Sequence, residues 1–296
     1  MGAAVTTPAP TSGLRHLIGP YVALMKPRII ELLLITTVPA MVLAARGWPG
    51  TWLVAATLIG GTLSAGGANA LNNFYDRDID EVMKRTSKRP LPNHLIDPIR
   101  ARNFGWALGV AGFVVLWSTS NLLAAALSTA ALLFYVYVYT LRLKRTTSQN
   151  IVIGGAAGAA PVLVGWAAVT GGLATPAWAM FAVVFAWTPP HFWALAVRYR
   201  DDYAAAGVPM LPVVTSIEST TRQMALYAGI TVLFSLALVP LADLGWLYLI
   251  TAVVAGAIFM LESVRVMFKP ERAMKLFTYS TAYLTVLFAA LLVDAL

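Results

Sequence analysis

Asn72, Asp76 and Asp80 recur at every fourth position, where a long apolar run gives way to dense charge. On a helix this spacing stacks three oxygen-bearing side chains on one face, a turn apart. Carboxylates in such a row repel each other, so something must compensate. One answer is the basic set that follows, Lys84, Arg85, Lys88 and Arg89, acting as a surface ion-pair network. The other is a divalent cation. Mg²⁺ takes oxygen ligands, commonly one or two carboxylates completed by phosphate oxygens. On that reading Asn72, Asp76 and Asp80 are metal ligands, and Lys84, Arg85 and Arg89 hold the remaining phosphate oxygens, Arg in bidentate fashion. Asp78 falls off the row and is expected in solvent.

A second charged stretch, Arg198, Arg200, Asp201 and Asp202, follows another apolar run. Arg198 and Asp202 are i, i+4 neighbours if that helix persists. Two acidic clusters on one surface could face each other across a pocket and hold two metals around one diphosphate. A charged loop with no other role remains the alternative for Arg200 and Asp201.

The elements that carry these groups are apolar helices. The chain has 296 residues, 59% hydrophobic and 11% charged, with mean hydropathy +0.73. Apolar runs of about 18 or more residues read as transmembrane helices. About nine such runs stand out, at Tyr21–Ala45, Thr51–Phe74, Phe104–Ser118, Leu122–Thr140, Ile151–Val169, Trp178–Val197, Met224–Leu241, Trp246–Val264 and Leu276–Val293. The fold class is therefore all-α: a polytopic membrane domain, residues 19–296, with its helices around a central apolar pocket open near the cytoplasmic face. Residues 1–18 read as a disordered cytoplasmic tail, without the marks of a signal or transit peptide.

Loop charge orients the bundle. Of the 21 basic residues, only Arg46 falls in a loop on the far side under this span count. Cytoplasmic loops carry excess Lys and Arg, so the N-terminus is expected inside, the C-terminus outside, and both charged motifs at the cytoplasmic surface of a bacterial plasma membrane. The net charge of +8 then reflects topology and lipid contact and implies no nucleic-acid partner. With no cysteine in the chain, disulfides, thiolate metal sites and thiol nucleophiles are excluded.

A diphosphate held at helix ends implies a tail in the apolar bundle, which makes a polyprenyl diphosphate the natural substrate class. An allylic cation left by the departing diphosphate needs a dry site with π faces. Tyr135, Tyr137 and Tyr139 lie at a suitable depth, although interfacial tyrosines are also ordinary belt residues. His191 sits inside an apolar run after Pro189 and Pro190, which free backbone carbonyls. It could meet a substrate or satisfy those carbonyls. His94 reads as a loop residue, His16 as part of the tail, and Glu31 as a local partner of Arg28.

Asn72, Asp76 and Asp80 together resemble the first aspartate-rich motif of the UbiA-type intramembrane prenyltransferases. "MKRTSKRPLP", "YTLRLKRTTSQNIVIGGAAGAAP", "WTPPHFWALA" and "DDYAAAGVPMLPVV" resemble, in order and spacing, the branch that farnesylates protohaem IX. The likeness runs from about Lys26 to the last helix. It departs from the superfamily's second DxxxD motif, having adjacent Asp201 and Asp202 and Ala206 four residues on. The resemblance implies transfer of a farnesyl group from farnesyl diphosphate to a vinyl group of haem b, with water addition, giving haem O for a terminal oxidase. It implies Mg²⁺ on Asn72, Asp76 and Asp80, and diphosphate on Arg85, Arg89 and Lys144. Asp202, with Asp201 and Arg198, would form a second site. His191 is a candidate for the acceptor: iron ligand, propionate partner or water partner. Membrane lipids surround the protein, and a downstream haem-modifying enzyme or oxidase assembly factor would take the product.

Another prenyltransferase, acting on an aromatic quinone precursor, would share the first motif but not "PPHFW" or "GVPMLPV". A transporter would place its charges nearer the bilayer midplane.

Overall fold

The computed structural model describes residues 14–296, except for the side chains of residues 14–17, 29 and 31–34. The expected tail lies outside the described residues up to position 13, and residues 14–18 open a helix. The His16 and Glu31 side chains lie outside them too. Among the described residues the fold is all-helical. In chain order the helices are α1 (Leu14–Met25), α2 (Pro27–Ala45), α3 (Thr51–Tyr75), α4 (Arg77–Val82), α5 (Pro98–Thr119) and α6 (Leu122–Leu133). A π-helical segment, Phe134–Leu143, runs from α6 into α7 (Lys144–Thr146). Then come α8 (Asn150–Thr170), α9 (Thr175–Arg198), α10 (Arg200–Ala205), α11 (Leu211–Val214), α12 (Ile217–Ala242), α13 (Trp246–Phe268) and α14 (Ala273–Asp294).

Seven helical stretches among the described residues are long and apolar enough to cross a membrane: Thr51–Tyr75, Leu122–Thr146, Asn150–Thr170, Thr175–Arg198, Ile217–Ala242, Trp246–Phe268 and Pro270–Asp294. The chain is thus a multi-pass membrane protein. The other two expected runs fall on α2 and α5. The first run differs from expectation, because it is broken at Lys26, whose backbone is left-handed (φ 54°, ψ 62°). Pro27 disfavours α geometry in the residue before it, so α1 and α2 are separate helices. α5 starts six residues earlier than its apolar pattern suggests. Pro98 suits a first helical position, and the Asp97 carboxylate accepts from the Arg100 N–H at 3.0 Å. This cap extends the helix through Arg100 and Arg102.

Close backbone approach holds α3 on α5. A Cβ on Gly67 would lie 2.6 Å from the Gly105 carbonyl oxygen and 2.9 Å from the Gly109 nitrogen, and one on Gly112 would lie 2.8 Å from the Gly60 oxygen. Packing through small residues drives helix association where no water remains to be expelled. α8 packs on α2, α6 and α9, and α9 in turn packs on α12 and α14. Five tryptophans, Trp48, Trp52, Trp117, Trp178 and Trp246, are at least half exposed. They lie at the α2–α3 turn, the end of α5 and the starts of α9 and α13, at the bundle end opposite Asn72, as an interfacial aromatic belt would.

Between α2, α3, α6, the π-helical segment and α8 lies an apolar cavity of about 860 Å³ of atom-free space, counting its open mouth. It runs along α3 from Asn69 to Thr57, and Tyr135 and Leu132 wall it on the opposite side.

Candidate active site

The row predicted from spacing forms, although α3 does not run through it unbroken. α3 ends at Tyr75, Asp76 takes a turn conformation (φ −93°, ψ 6°), and α4 begins at Arg77. The ladder still carries across, with Asp76 N–H to the Asn72 carbonyl at 2.9 Å and Asp80 N–H to the Asp76 carbonyl at 2.8 Å. Asn72, Asp76 and Asp80 are 4%, 1% and 1% exposed. That burial sets aside the surface-network reading for these three residues, because a solvated row would not need buried partners.

The partners are cations from three other parts of the chain. Lys144 Nζ donates to Asp76 Oδ2 at 2.6 Å. Arg89 Nη1 donates to both oxygens of Asp80 at 2.8 Å. Lys26 Nζ donates to Asn72 Oδ1 at 2.7 Å. Asn72 spends its amide protons on Asp76 Oδ2 at 2.7 Å and Thr140 Oγ1 at 3.0 Å. Thr140 reaches this point from the π-helical segment, and its hydroxyl donates to the Tyr135 carbonyl five residues back. Below it, Tyr135 and Tyr139 stack with centroids 5.3 Å apart. Tyr135 lines the cavity, so the cavity reaches within one turn of Asn72.

Asp76 Oδ1 is buried and has no hydrogen-bond partner, with Arg145 Nη2 3.8 Å away. Such an oxygen, beside a second buried carboxylate and an amide oxygen, suits a divalent cation that takes phosphate oxygens for its other positions. Among the described residues no group of three or more His, Asp or Glu side chains converges on one point, so any metal here would need ligands from its substrate. Asp78, expected in solvent, accepts two hydrogen bonds from Arg145, at 2.7 and 2.8 Å. These bonds hold its carboxyl below the usual carboxylate range.

Of the second charged stretch only Asp202 is tied to the first. Its Oδ2 accepts from the Arg85 N–H at 3.1 Å, and Arg85 Nη2 donates to the Tyr203 hydroxyl at 3.2 Å. Burial pushes the Tyr203 phenol up, against the opposing pull of Arg85. Arg198 and Asp201 are exposed. Arg198 and Asp202, neighbours if the helix persists, do not pair: α9 ends at Arg198, Tyr199 takes a turn (φ −108°, ψ 27°), and the Asp202 carboxylate is taken by the Arg85 N–H. The basic loop after α4 is held down by buried Met83, Leu91 and Ile96.

His191 lies in an aromatic sandwich. Its ring stacks on Trp187 at 4.2 Å and on Phe277 at 4.4 Å, and Nδ1 is 2.7 Å from Ser280 Oγ. The Ser280 hydroxyl lies between His191 Nδ1 and the Phe277 carbonyl, 2.7 Å from each. His191 therefore bonds a side chain on α14 rather than a carbonyl freed by Pro189 and Pro190.

Sequence reasoning named Lys26 among the inside charges but gave it no place in the site. It also missed Thr140 and Arg145. A base immediately before Pro27 was the available signal for Lys26; the π-helical offset that delivers Thr140 has none.

Comparison with known proteins agrees with this geometry. Residues 33–292 match the UbiA prenyltransferase family. The protoheme IX farnesyltransferase of Parafrankia sp. (strain EAN1pec) is 54% identical over 281 residues, covering 93% of this chain and 90% of that one. Protoheme IX farnesyltransferase 1 of Saccharopolyspora erythraea is 55% identical over 293 residues, covering 97% and 93%. Among solved structures, a UbiA homolog from Aeropyrum pernix K1 superposes with TM-score 0.75 at 21% identity, over 91% of this chain and 98% of that one. A UbiA homolog from Archaeoglobus fulgidus bound to GPP and Mg²⁺ does so with TM-score 0.64 at 16% identity, over 92% and 99%. At these identities the structures show the fold, while the family match and the close relatives show that this chain belongs to the UbiA prenyltransferase family.

Proposed function

We propose that this protein transfers the farnesyl group of farnesyl diphosphate to a vinyl group of haem b, with addition of water, giving haem O. The observation that carries this reading is the buried Asn72–Asp76–Asp80 row, ringed by Lys26, Arg89 and Lys144, at the end of an apolar cavity. Acids alone would repel a diphosphate, and bases alone would bind it without a metal. The mixture fits a metal–diphosphate head group, and the cavity fits its tail.

Asn72, Asp76 and Asp80 would hold Mg²⁺, which supplies Lewis-acid stabilisation of the departing diphosphate. Arg89 and Lys144 neutralise charge as it builds on the leaving group, and burial raises the strength of that interaction. Lys26 lies on the same side, bonded to Asn72. Arg85 stands at the rim, tied to Asp202, where it meets the outer phosphate oxygens. Asp202, with Asp201 beside it on α10 and Arg198 at the end of α9, would form the second acidic side of the site. Tyr135 offers a π face and a dry wall to the allylic carbon. On the acceptor side, His191 would meet the haem, as iron ligand or as partner of a propionate or of the attacking water. On a count of nine spans, with the N-terminus inside and the C-terminus outside a bacterial plasma membrane, the diphosphate would lie at the cytoplasmic face. The curated relatives named as protoheme IX farnesyltransferases support the choice of haem acceptor.

The test is product mass. Purified protein in detergent is incubated with haem b, farnesyl diphosphate and Mg²⁺, with and without chelator, and the haem is extracted. A chelator-sensitive gain of one farnesyl group plus water is expected. Prenylation of a hydroxybenzoate or naphthoate, with haem unchanged, would overturn the acceptor assignment.

A further inference from the structure

We propose that Gly61 on α3 leaves the room in the cavity for the third isoprene unit of a prenyl chain, and Gly158 on α8 the room for the units before it. The inference rests on the reading of this cavity as the prenyl-tail site.

Most glycines of the bundle are explained by packing. A Cβ on Gly60 would lie 2.7 Å from Leu116, on Gly155 3.1 Å from Thr188, and on Gly165 2.7 Å from the Thr37 carbonyl oxygen. Gly61 and Gly158 are different. Both line the cavity, and a Cβ on either would meet nothing within 4 Å. Neither has the positive φ that would require glycine. Glycine in a helix interior costs about 1 kcal/mol relative to alanine. At these two positions that cost brings neither closer helix packing nor a special backbone conformation. What the missing side chains leave is space in the cavity.

Depth gives each glycine a role. Asn69 and Thr57 mark the two ends of the cavity on α3; twelve residues apart, they are separated by about 18 Å at the helical rise. A farnesyl main chain of twelve carbons spans roughly 14 Å extended, since each ~1.5 Å carbon–carbon bond advances about 1.3 Å along a zigzag. A geranyl chain of eight carbons spans roughly 9 Å on the same basis. Gly61 lies eight residues from Asn69, where the cavity begins on α3, about 12 Å along it. That is the depth reached by the third isoprene unit and not by the second. Gly158 follows Ala157, where α8 first meets the cavity, beside the units nearer the diphosphate. A branched side chain at position 61 would therefore remove room for the last unit alone.

The experiment offers equimolar geranyl, farnesyl and geranylgeranyl diphosphates to wild type, Gly61→Leu, Gly61→Ala and Gly158→Leu. Haem b and Mg²⁺ are present, and haem products are read by mass. Wild type is expected to yield the farnesyl adduct. Gly61→Leu should move the geranyl-to-farnesyl product ratio at least tenfold toward geranyl, and Gly61→Ala should move it less. Gly158→Leu should depress the products of all three donors. A second readout needs no turnover: with Mg²⁺ and no haem, geranyl diphosphate should raise the melting temperature of Gly61→Leu while farnesyl diphosphate should not. A folded Gly61→Leu protein with the wild-type ratio and wild-type stabilisation would overturn the proposal. So would failure of Gly61→Leu to fold, since the open space would then not exist. If wild type modifies no haem with any donor, the haem reading falls, and the melting-temperature series still decides the role of Gly61.

Discussion

Replacing Asp76 with asparagine separates a substrate-binding acid from a merely structural one. Asp76 is 1% exposed and its partner Lys144 only 12%, so the pair is buried and its 2.6 Å bond is not screened by water. Removing one partner of such a pair leaves the other charge uncompensated, at about 3–5 kcal/mol. Lys144 keeps a narrow path to solvent, which sets the cost near the lower end, about 3 kcal/mol. For a chain of this size that is a fall in melting temperature of roughly 6–12 °C. Turnover should fall further, by about 10²–10³-fold, the usual effect of deleting one preorganised electrostatic group. The double variant Asp76→Asn/Lys144→Met removes both charges and should recover most of the lost stability, since the coupling between contacting charges disappears with them. It should recover no turnover, and it should lose Mg²⁺-dependent diphosphate binding. Thermal unfolding, product mass and diphosphate affinity on the four proteins of the cycle give the answer. Wild-type turnover in the double variant would show that Asp76 only neutralises Lys144, and the metal assignment would fall.

Three further outcomes are expected. Gly67→Ala should destabilise the α3–α5 contact by about 1–3 kcal/mol, because its Cβ meets backbone at 2.6 and 2.9 Å; an unchanged melting temperature would contradict that contact. His191→Ala should abolish haem product while leaving stabilisation by farnesyl diphosphate intact; normal turnover of the folded fraction would make the histidine structural. Asp78→Asn should cost less than about 1 kcal/mol, because the Asp78 side chain is 61% exposed and such pairs are screened. The folded carboxyl is held low by Arg145, so its contribution is present above the ordinary carboxylate value and lost as pH falls through the lowered one. The deficit of the variant should thus be constant near neutrality and vanish in acid; a deficit that grows on acidification would refute the assignment.

The parts of this molecule legible in the sequence are those set by period and by solvent. Apolar run length placed the helices because a lipid-facing helix has no polar stripe to confuse the pattern. Every-fourth spacing placed Asn72, Asp76 and Asp80 together, and it survived the turn at Asp76 because the i→i−4 bonds carry across it. Arg198 and Asp202 have the same spacing across a similar turn at Tyr199, yet Asp202 meets the Arg85 N–H and Arg198 is exposed, because spacing fixes a face and not a partner. Lys26 was hidden because Pro27 breaks the first apolar run. Thr140 was hidden because π-helical geometry shifts a side chain relative to the α pattern. The contacts of Asp76 and Asp80 with Lys144, Arg145 and Arg89 are between segments, and no single-sequence period encodes them.

These buried contacts also explain why both signs of charge crowd the end of one apolar run. Asp76 is held by Lys144 and Asp80 by Arg89, with Arg145 3.8 Å from Asp76, while Lys26 meets Asn72. Either set of ions buried without the other would be costly. The basic side chains give an anionic guest its partners at the end of the cavity. The Oδ1 of Asp76, which has no hydrogen-bond partner, gives a hard cation a place to enter with it. A protein that needed only a stable helix end could have used apolar residues here and avoided the desolvation cost of these ions. The cluster is therefore better explained by what it receives than by what it holds together.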